Sequence, residues 1–127
     1  MADMTIAPSP TALLALAGAV TADLGAHAPK PTTLTPGQTE AAVTLWASED
    51  GRYEAGIWEA TPGDFPSVRE GFHEVCQLLA GSVTIDSTDG TTTELRAGDL
   101  FVTPEGWTGT WRVHETLRKA WVTIQTS

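Results

Sequence analysis

Positive charge is scarce in this sequence. Seven Lys and Arg stand against sixteen Asp and Glu, a formal net charge of −9 over 127 residues. Arg118 and Lys119 are the only adjacent cations. A chain so acidic offers no footing for a phosphate backbone, and no nucleic-acid partner is expected. One cysteine, Cys76, excludes an internal disulfide. No apolar run approaches the roughly 20 residues that cross a bilayer, so no membrane partner is expected. The run from Ala12 to Val20 has the length of a signal-peptide core, but Asp3 and no Lys or Arg precede it, and a cytoplasmic location is expected. The Ser-His-Asp order, the glycine-rich phosphate loop and zinc-finger spacing are all missing.

What remains is an ordinary globular composition, 41% hydrophobic and 18% charged, at a length that suits one domain with a modest core. Residues 1 to 45 differ from the rest: they hold no aromatic residue, a single cation, Lys30, and five of the eight prolines. Thr11 to Asp23 is Ala/Leu-rich after Pro10, with Thr11 as N-cap and Gly25 as stop, and the pattern predicts a short helix. Leu13, Leu16 and Val20 give that helix one apolar stripe, which either packs on its own barrel or helps join a homodimer. His27-Ala28-Pro29-Lys30-Pro31 is an extended linker. The expected division is an arm over residues 1–36 and a barrel over 37–127.

From Glu40 onward the periodicity changes to two. Strands are predicted at Glu40–Ala47, Tyr53–Ala60, Glu74–Leu79, Ser82–Asp86, Thr92–Arg96, Leu100–Thr103, Thr108–Val113 and Arg118–Gln125. Glu49-Asp50-Gly51, Thr61-Pro62-Gly63-Asp64 and Asp89-Gly90 are turns between them. Short strands punctuated every 8 to 12 residues indicate a closed antiparallel architecture.

Two stretches carry a resemblance. Glu74-Val75-Cys76-Gln77-Leu78-Leu79-Ala80-Gly81 is a glutamate ahead of a glycine. Gly98-Asp99-Leu100-Phe101-Val102-Thr103-Pro104-Glu105-Gly106 is a Gly-x5-Pro-x-Gly. Together they resemble the two signature motifs of the cupin superfamily, over about residues 40 to 125. Gly56-Ile57-Trp58-Glu59-Ala60-Thr61-Pro62-Gly63, Pro104 to Trp111 and the Arg118-Lys119 pair are similar to the ureidoglycine aminohydrolase-like subgroup. The resemblance implies an all-β cupin jelly-roll barrel, an antiparallel β-sandwich, here with the short N-terminal helical arm. It also implies a homodimer and a small-molecule ligand.

A metal-binding cupin of the common type has His-x-His before the glutamate and one histidine after the Pro-x-Gly. Counted from Glu74 and Gly106, those positions are Val68, Glu70 and Gly109. All three imidazoles are absent, so no metal and no other cofactor is expected. The open alternative is a divalent ion held by Glu70, Glu74 and Cys76, which requires Cys76 to lose its proton.

Strand alternation puts Trp58, Glu74, Cys76, Leu78 and Trp111 on the inward face. Trp58 and Trp111 there are either core or the walls of a ligand site. Glu70 joins them if the chain at Gly71 curls inward. Cys76 fits a small buried thiol. A carboxylate on that face needs a partner, and the resemblance offers Lys119. The last strand has two phases: Arg118, Ala120, Val122 and Ile124 share one face, Lys119, Trp121 and Thr123 the other. With Lys119 inward, Glu74 is a general base and Lys119 a carbonyl-polarising cation, or the two are an inert buried pair. The implied function is an enzyme acting on a small polar metabolite of ureido or amide type, with Glu74 as acid/base. The alternative is a cupin that binds a small ligand without metal or turnover.

Overall fold

The computed structural model describes residues 11–126, and every regular element among them is a strand. The strands are β1 (Ala28–Pro29), β2 (Thr39–Ala47), β3 (Tyr53–Ala60), β4 (Gly63–Val68), β5 (Phe72–Ser87), β6 (Thr92–Arg96), β7 (Leu100–Thr103) and β8 (Thr108–Gln125). All pairings are antiparallel. Among the described residues no helix is long and apolar enough to cross a membrane.

Two long bent strands build the barrel. Along β8, Thr108–Val113 pairs with β4 while Leu117–Ile124 pairs with β3. Along β5, Glu74–Gln77 pairs with β7 and Ser82–Asp86 with β6. The strands β5 and β8 also pair with each other throughout, so one sheet runs β2-β3-β8-β5-β7 and the other β4-β8-β5-β6. The bend falls where the register shifts, between Leu78 and Val83. Gly81 sits there at φ +85°, and a Cβ on it would collide with the Thr116 carbonyl oxygen. Only glycine turns this corner. Sequence alternation divided each long strand at that corner, which accounts for two separate strands predicted in place of β5 and two in place of β8. The residues His114-Glu115-Thr116, which fall between two predicted strands, lie within β8.

The sandwich closes on Phe65, Cys76, Leu78, Val83, Ile85, Trp111, Val113 and Leu117. Trp111 is central, with ring centroids 5.7 Å from Phe65, 5.6 Å from Phe101 and 6.1 Å from Trp58.

The predicted helix over Thr11–Asp23 does not form. Its first neighbours, residues 1–10, lie outside the described residues. From Thr11 the chain is irregular except for one turn around Gly18, which takes φ +63° and accepts hydrogen bonds from the backbone of Thr21 and Ala22 at 3.0 and 2.8 Å. A helix this short is marginal in water, and Gly18 interrupts it with a φ outside the helical range. Arg118 Nη1 donates to Ala19 O at 2.9 Å and Ala22 O at 2.7 Å, while its Nε and Nη2 hold Glu59 Oε1 at 3.2 and 3.0 Å. His27 adds contacts to Glu59 at 2.7 Å and Thr39 at 2.9 Å. Beyond it Ala28–Pro29 joins the edge of the sheet against Thr39 and Glu40. We expect Arg118→Ala to destabilise the protein by about 2 kcal/mol through these charged hydrogen bonds. It should also speed amide exchange at Ala19–Ala22 relative to the barrel strands; unchanged exchange there would show that the arm is held by packing alone.

Candidate functional site

Alternation along four strands aims a defined set of side chains inward. β3 contributes Glu54 and Trp58, and β5 contributes Glu74, Cys76 and Leu78. β8 contributes Trp111 and, past its bend, Lys119, Trp121 and Thr123. β4 contributes Phe65 and Ser67, and its alternation continues into Arg69. The backbone of Arg69 extends the ladder, donating to Trp107 O at 2.9 Å and accepting from Gly106 N at 2.8 Å. A cavity of about 340 Å³ opens between these strands.

Its floor is an ionic cluster on one atom. Glu74 Oε1 accepts from Lys119 Nζ at 2.6 Å, Arg69 Nη2 at 3.2 Å and Cys76 Sγ at 2.8 Å. Arg69 is locked by Ser67 Oγ at 2.7 Å and Thr103 Oγ1 at 2.9 Å. Lys119 Nζ lies 4.7 and 4.6 Å from the ring centroids of Trp58 and Trp111, where the ring faces add to its stabilisation. Glu74, Arg69 and Lys119 are each under 9% exposed. At the mouth, Lys30 Nζ rests 4.2 Å from the Phe65 centroid and donates to Glu40 Oε1 at 2.9 Å; the same oxygen accepts from Trp58 Nε1 at 2.9 Å.

Burial pushes the Glu74 carboxyl upward, but the charges of Lys119 and Arg69 outweigh it and hold the group below the usual carboxylate range. Burial, together with the neighbouring Glu74 carboxylate, pushes the Cys76 thiol up to about 12, against the pull of Lys119. Cys76 is therefore a neutral donor beneath Glu74.

Of the residues singled out in the sequence, Glu74, Lys119, Trp58 and Trp111 line the cavity. Cys76 is fully buried behind Glu74. Glu70 is exposed and stands outside the lining. The inward pair ahead of Glu74 is Ser67 and Arg69, one residue earlier than Val68 and Glu70, because β4 continues its alternation up to Gly71. Adjacent Arg118 and Lys119 point to opposite faces, Arg118 to the arm and Lys119 to the cavity. Sequence reasoning missed Arg69, Phe65 and Lys30. The alternation Phe65-Ser67-Arg69 was the available signal, hidden by reading Gly63-Asp64 as a turn. Lys30 carried no signal beyond being the lone cation of the arm.

The family model of the EutQ-like cupin domain matches residues 47–121. The chain belongs to the EutQ-like cupin domain family. Solved cupins agree with the fold. The EutQ protein of Clostridium difficile is 22% identical over 73% of this chain and 67% of its own, with a TM-score of 0.62. A putative ethanolamine utilization protein Q from Salmonella typhimurium LT2 is 21% identical over 70% of this chain and 72% of its own, with a TM-score of 0.60. A DUF861-family protein of unknown function from Pseudomonas syringae pv. tomato is 19% identical over 89% of this chain but 45% of its own, with a TM-score of 0.67. A search of the curated proteins finds no match.

Cupins of the common type hold a metal, and the residues of this EutQ-like cupin domain do not fit one. The inward positions ahead of Glu74 are a hydroxyl and a guanidinium. Glu74 Oε1 already carries two cations. At Gly109 a Cβ would lie 2.5 Å from both the Trp107 ring and the Asp86 carbonyl oxygen, so no histidine side chain can start there. Among the described residues no group of three His, Cys, Asp or Glu is placed to share an ion.

Proposed function

We propose that the barrel binds a small polar metabolite in the cavity between Trp58, Phe65 and Trp111, and that Glu74 and Lys119 exchange protons with it. The observation that carries this reading is the Lys119–Glu74 contact of 2.6 Å, an acid and a base in direct contact in a largely apolar cavity. A residue pair so placed serves proton transfer, hydrolysis or elimination at a carbonyl-type carbon. The resemblance of Gly56–Gly63 and Pro104–Trp111 to ureidoglycine aminohydrolase-like cupins supports an amide or ureido substrate. The names of the EutQ relatives point instead toward ethanolamine utilization.

Binding without turnover is the second reading, favoured by the three donors gathered on one oxygen of Glu74, which lower its strength as a base. Glu74→Gln separates the two. The test is a thermal-shift screen of ureido acids, amides, amino acids and amino alcohols, followed by ammonia and product assays on each binder. For an enzyme the variant is expected to keep binding and lose at least about a hundredfold in turnover. Binding with no product from the wild type selects the second reading, and full turnover by both Glu74→Gln and Lys119→Met removes the acid–base assignment.

The homodimer implied by the resemblance belongs to the same proposal. Sedimentation at micromolar concentration is expected to give about twice the mass of a 13.4 kDa chain, and a monomer there would remove it.

A further inference from the structure

The walls of the cavity carry two charges without a full counter-charge, and they have opposite sign. On the floor, two cations share one carboxylate: Arg69 and Lys119 both contact Glu74 Oε1, leaving one positive charge over. The third cation of the wall, Lys30, is closed on Glu40. Two strands away from Glu74 on the same sheet, Glu54 of β3 lines the same space, half-buried, with no hydrogen bond or ion pair to any of the three cations. The ladder fixes their separation, because Glu54 faces Thr123 on β8 and Thr123 faces Glu74 on β5. Two strand spacings separate the Glu54 and Glu74 backbones, roughly 10 Å. A small molecule spans that gap.

A buried, uncompensated cation in an aromatic-walled cavity attracts an anion, since burial limits its contact with water. The Arg69 guanidinium, already fixed by Ser67 and Thr103, needs no reordering to bind a carboxylate. Glu54 offers the reverse, an acceptor toward which nothing in the wall donates.

Resting on the small-molecule reading above, we propose that the ligand is bipolar: a single carboxylate held by Arg69 and Lys119, joined by a short spacer to an N–H donor group that faces Glu54. Glu54 and Arg69 are then binding residues, one for each end. The arrangement rejects neutral diamides for want of the acid and plain fatty acids for want of the N–H.

Calorimetric titration with two probe series tests this. One is N-acetylglycine, its neutral amide, and levulinate, which replaces the N–H by CH2. The other is N-carbamoylglycine and its amide, with levulinate again as the acid of the same chain length that lacks every N–H. In at least one series the N–H acid is expected to bind about tenfold or more tighter than both of its partners. Glu54→Gln should erase the advantage over the CH2 acid. Arg69→Met should erase the advantage over the amide, and Arg69→Lys should restore part of it, with thermal unfolding confirming that each variant is folded. Acid and amide binding alike would overturn the bipolar ligand while leaving the small-molecule pocket standing. No binding by any probe, charged or neutral, would overturn both.

Discussion

Glu74→Ala is expected to destabilise the barrel by about 3–5 kcal/mol, the usual result of removing one partner from a buried ion pair. The size follows from what is left behind. Lys119 and Arg69, both nearly inaccessible, would face each other with no anion between them, and Cys76 would lose its acceptor. Glu74→Gln keeps an acceptor oxygen and should lie well below that figure. Acid does the same job without mutation. The folded carboxyl titrates below its unfolded value, so its contribution is complete above the unfolded pKa, about 4.3, and is lost as pH falls through the lower folded value. Glu40 and Glu59 are shifted in the same direction and add to the loss. Urea unfolding at pH 6 and pH 3 should show a steep drop for the wild type and a shallower one for Glu74→Gln; equal drops would show that Glu74 contributes nothing through its charge.

Trp111→Ala is expected to cost a similar 3–5 kcal/mol, typical of truncating a large core aromatic. Trp111 is 1% exposed and packs against three other aromatic rings. It is also a wall of the cavity and a ring face for the Lys119 ammonium, so core and ligand site are one cluster here. Trp111→Phe separates the roles. Its indole N–H has no acceptor to lose, so this variant should retain most of the stability, and a further loss of ligand affinity would then belong to the site. Equal stability of Trp111→Ala and wild type in urea would contradict the packing seen here.

Much of this was readable from alternation. Glu74, Cys76 and Leu78 face inward because a period of two leaves them no other choice once Phe72–Ser87 is a strand. The barrel followed from the Gly, Pro and Asp punctuation. Three things were hidden, each for a physical reason. Gly63-Asp64 looks like a turn by residue type, but the ladder to Arg112 and Val113 makes it strand, and with it Arg69 turns inward in place of Glu70. The phase of Lys119 could not be read from its own strand, since both faces of Arg118–Ile124 mix apolar and polar side chains; pairing with Trp58 and Leu78 decides it. The arm has good local helix propensity, but Gly18 turns the chain at φ +63°, and Arg118, about a hundred residues later, ties the Ala19 and Ala22 carbonyls to the barrel, a contact no local pattern shows.

The reach of β8 has a consequence for how the chain folds. This single strand is hydrogen-bonded to β3, β4 and β5, and both inward cations of the cluster and its carboxylate come together only through it. The β2–β3 and β5–β6 hairpins can form early from local contacts, but neither has a second layer to rest on until residues 108–125 arrive. Folding of this kind closes large loops before the contacts that stabilise them exist, and topologies so rich in non-local pairing fold slowly for their size. Until residues 108–125 arrive the apolar side chains on β5 have no covering layer, the kind of transient exposure from which aggregation starts.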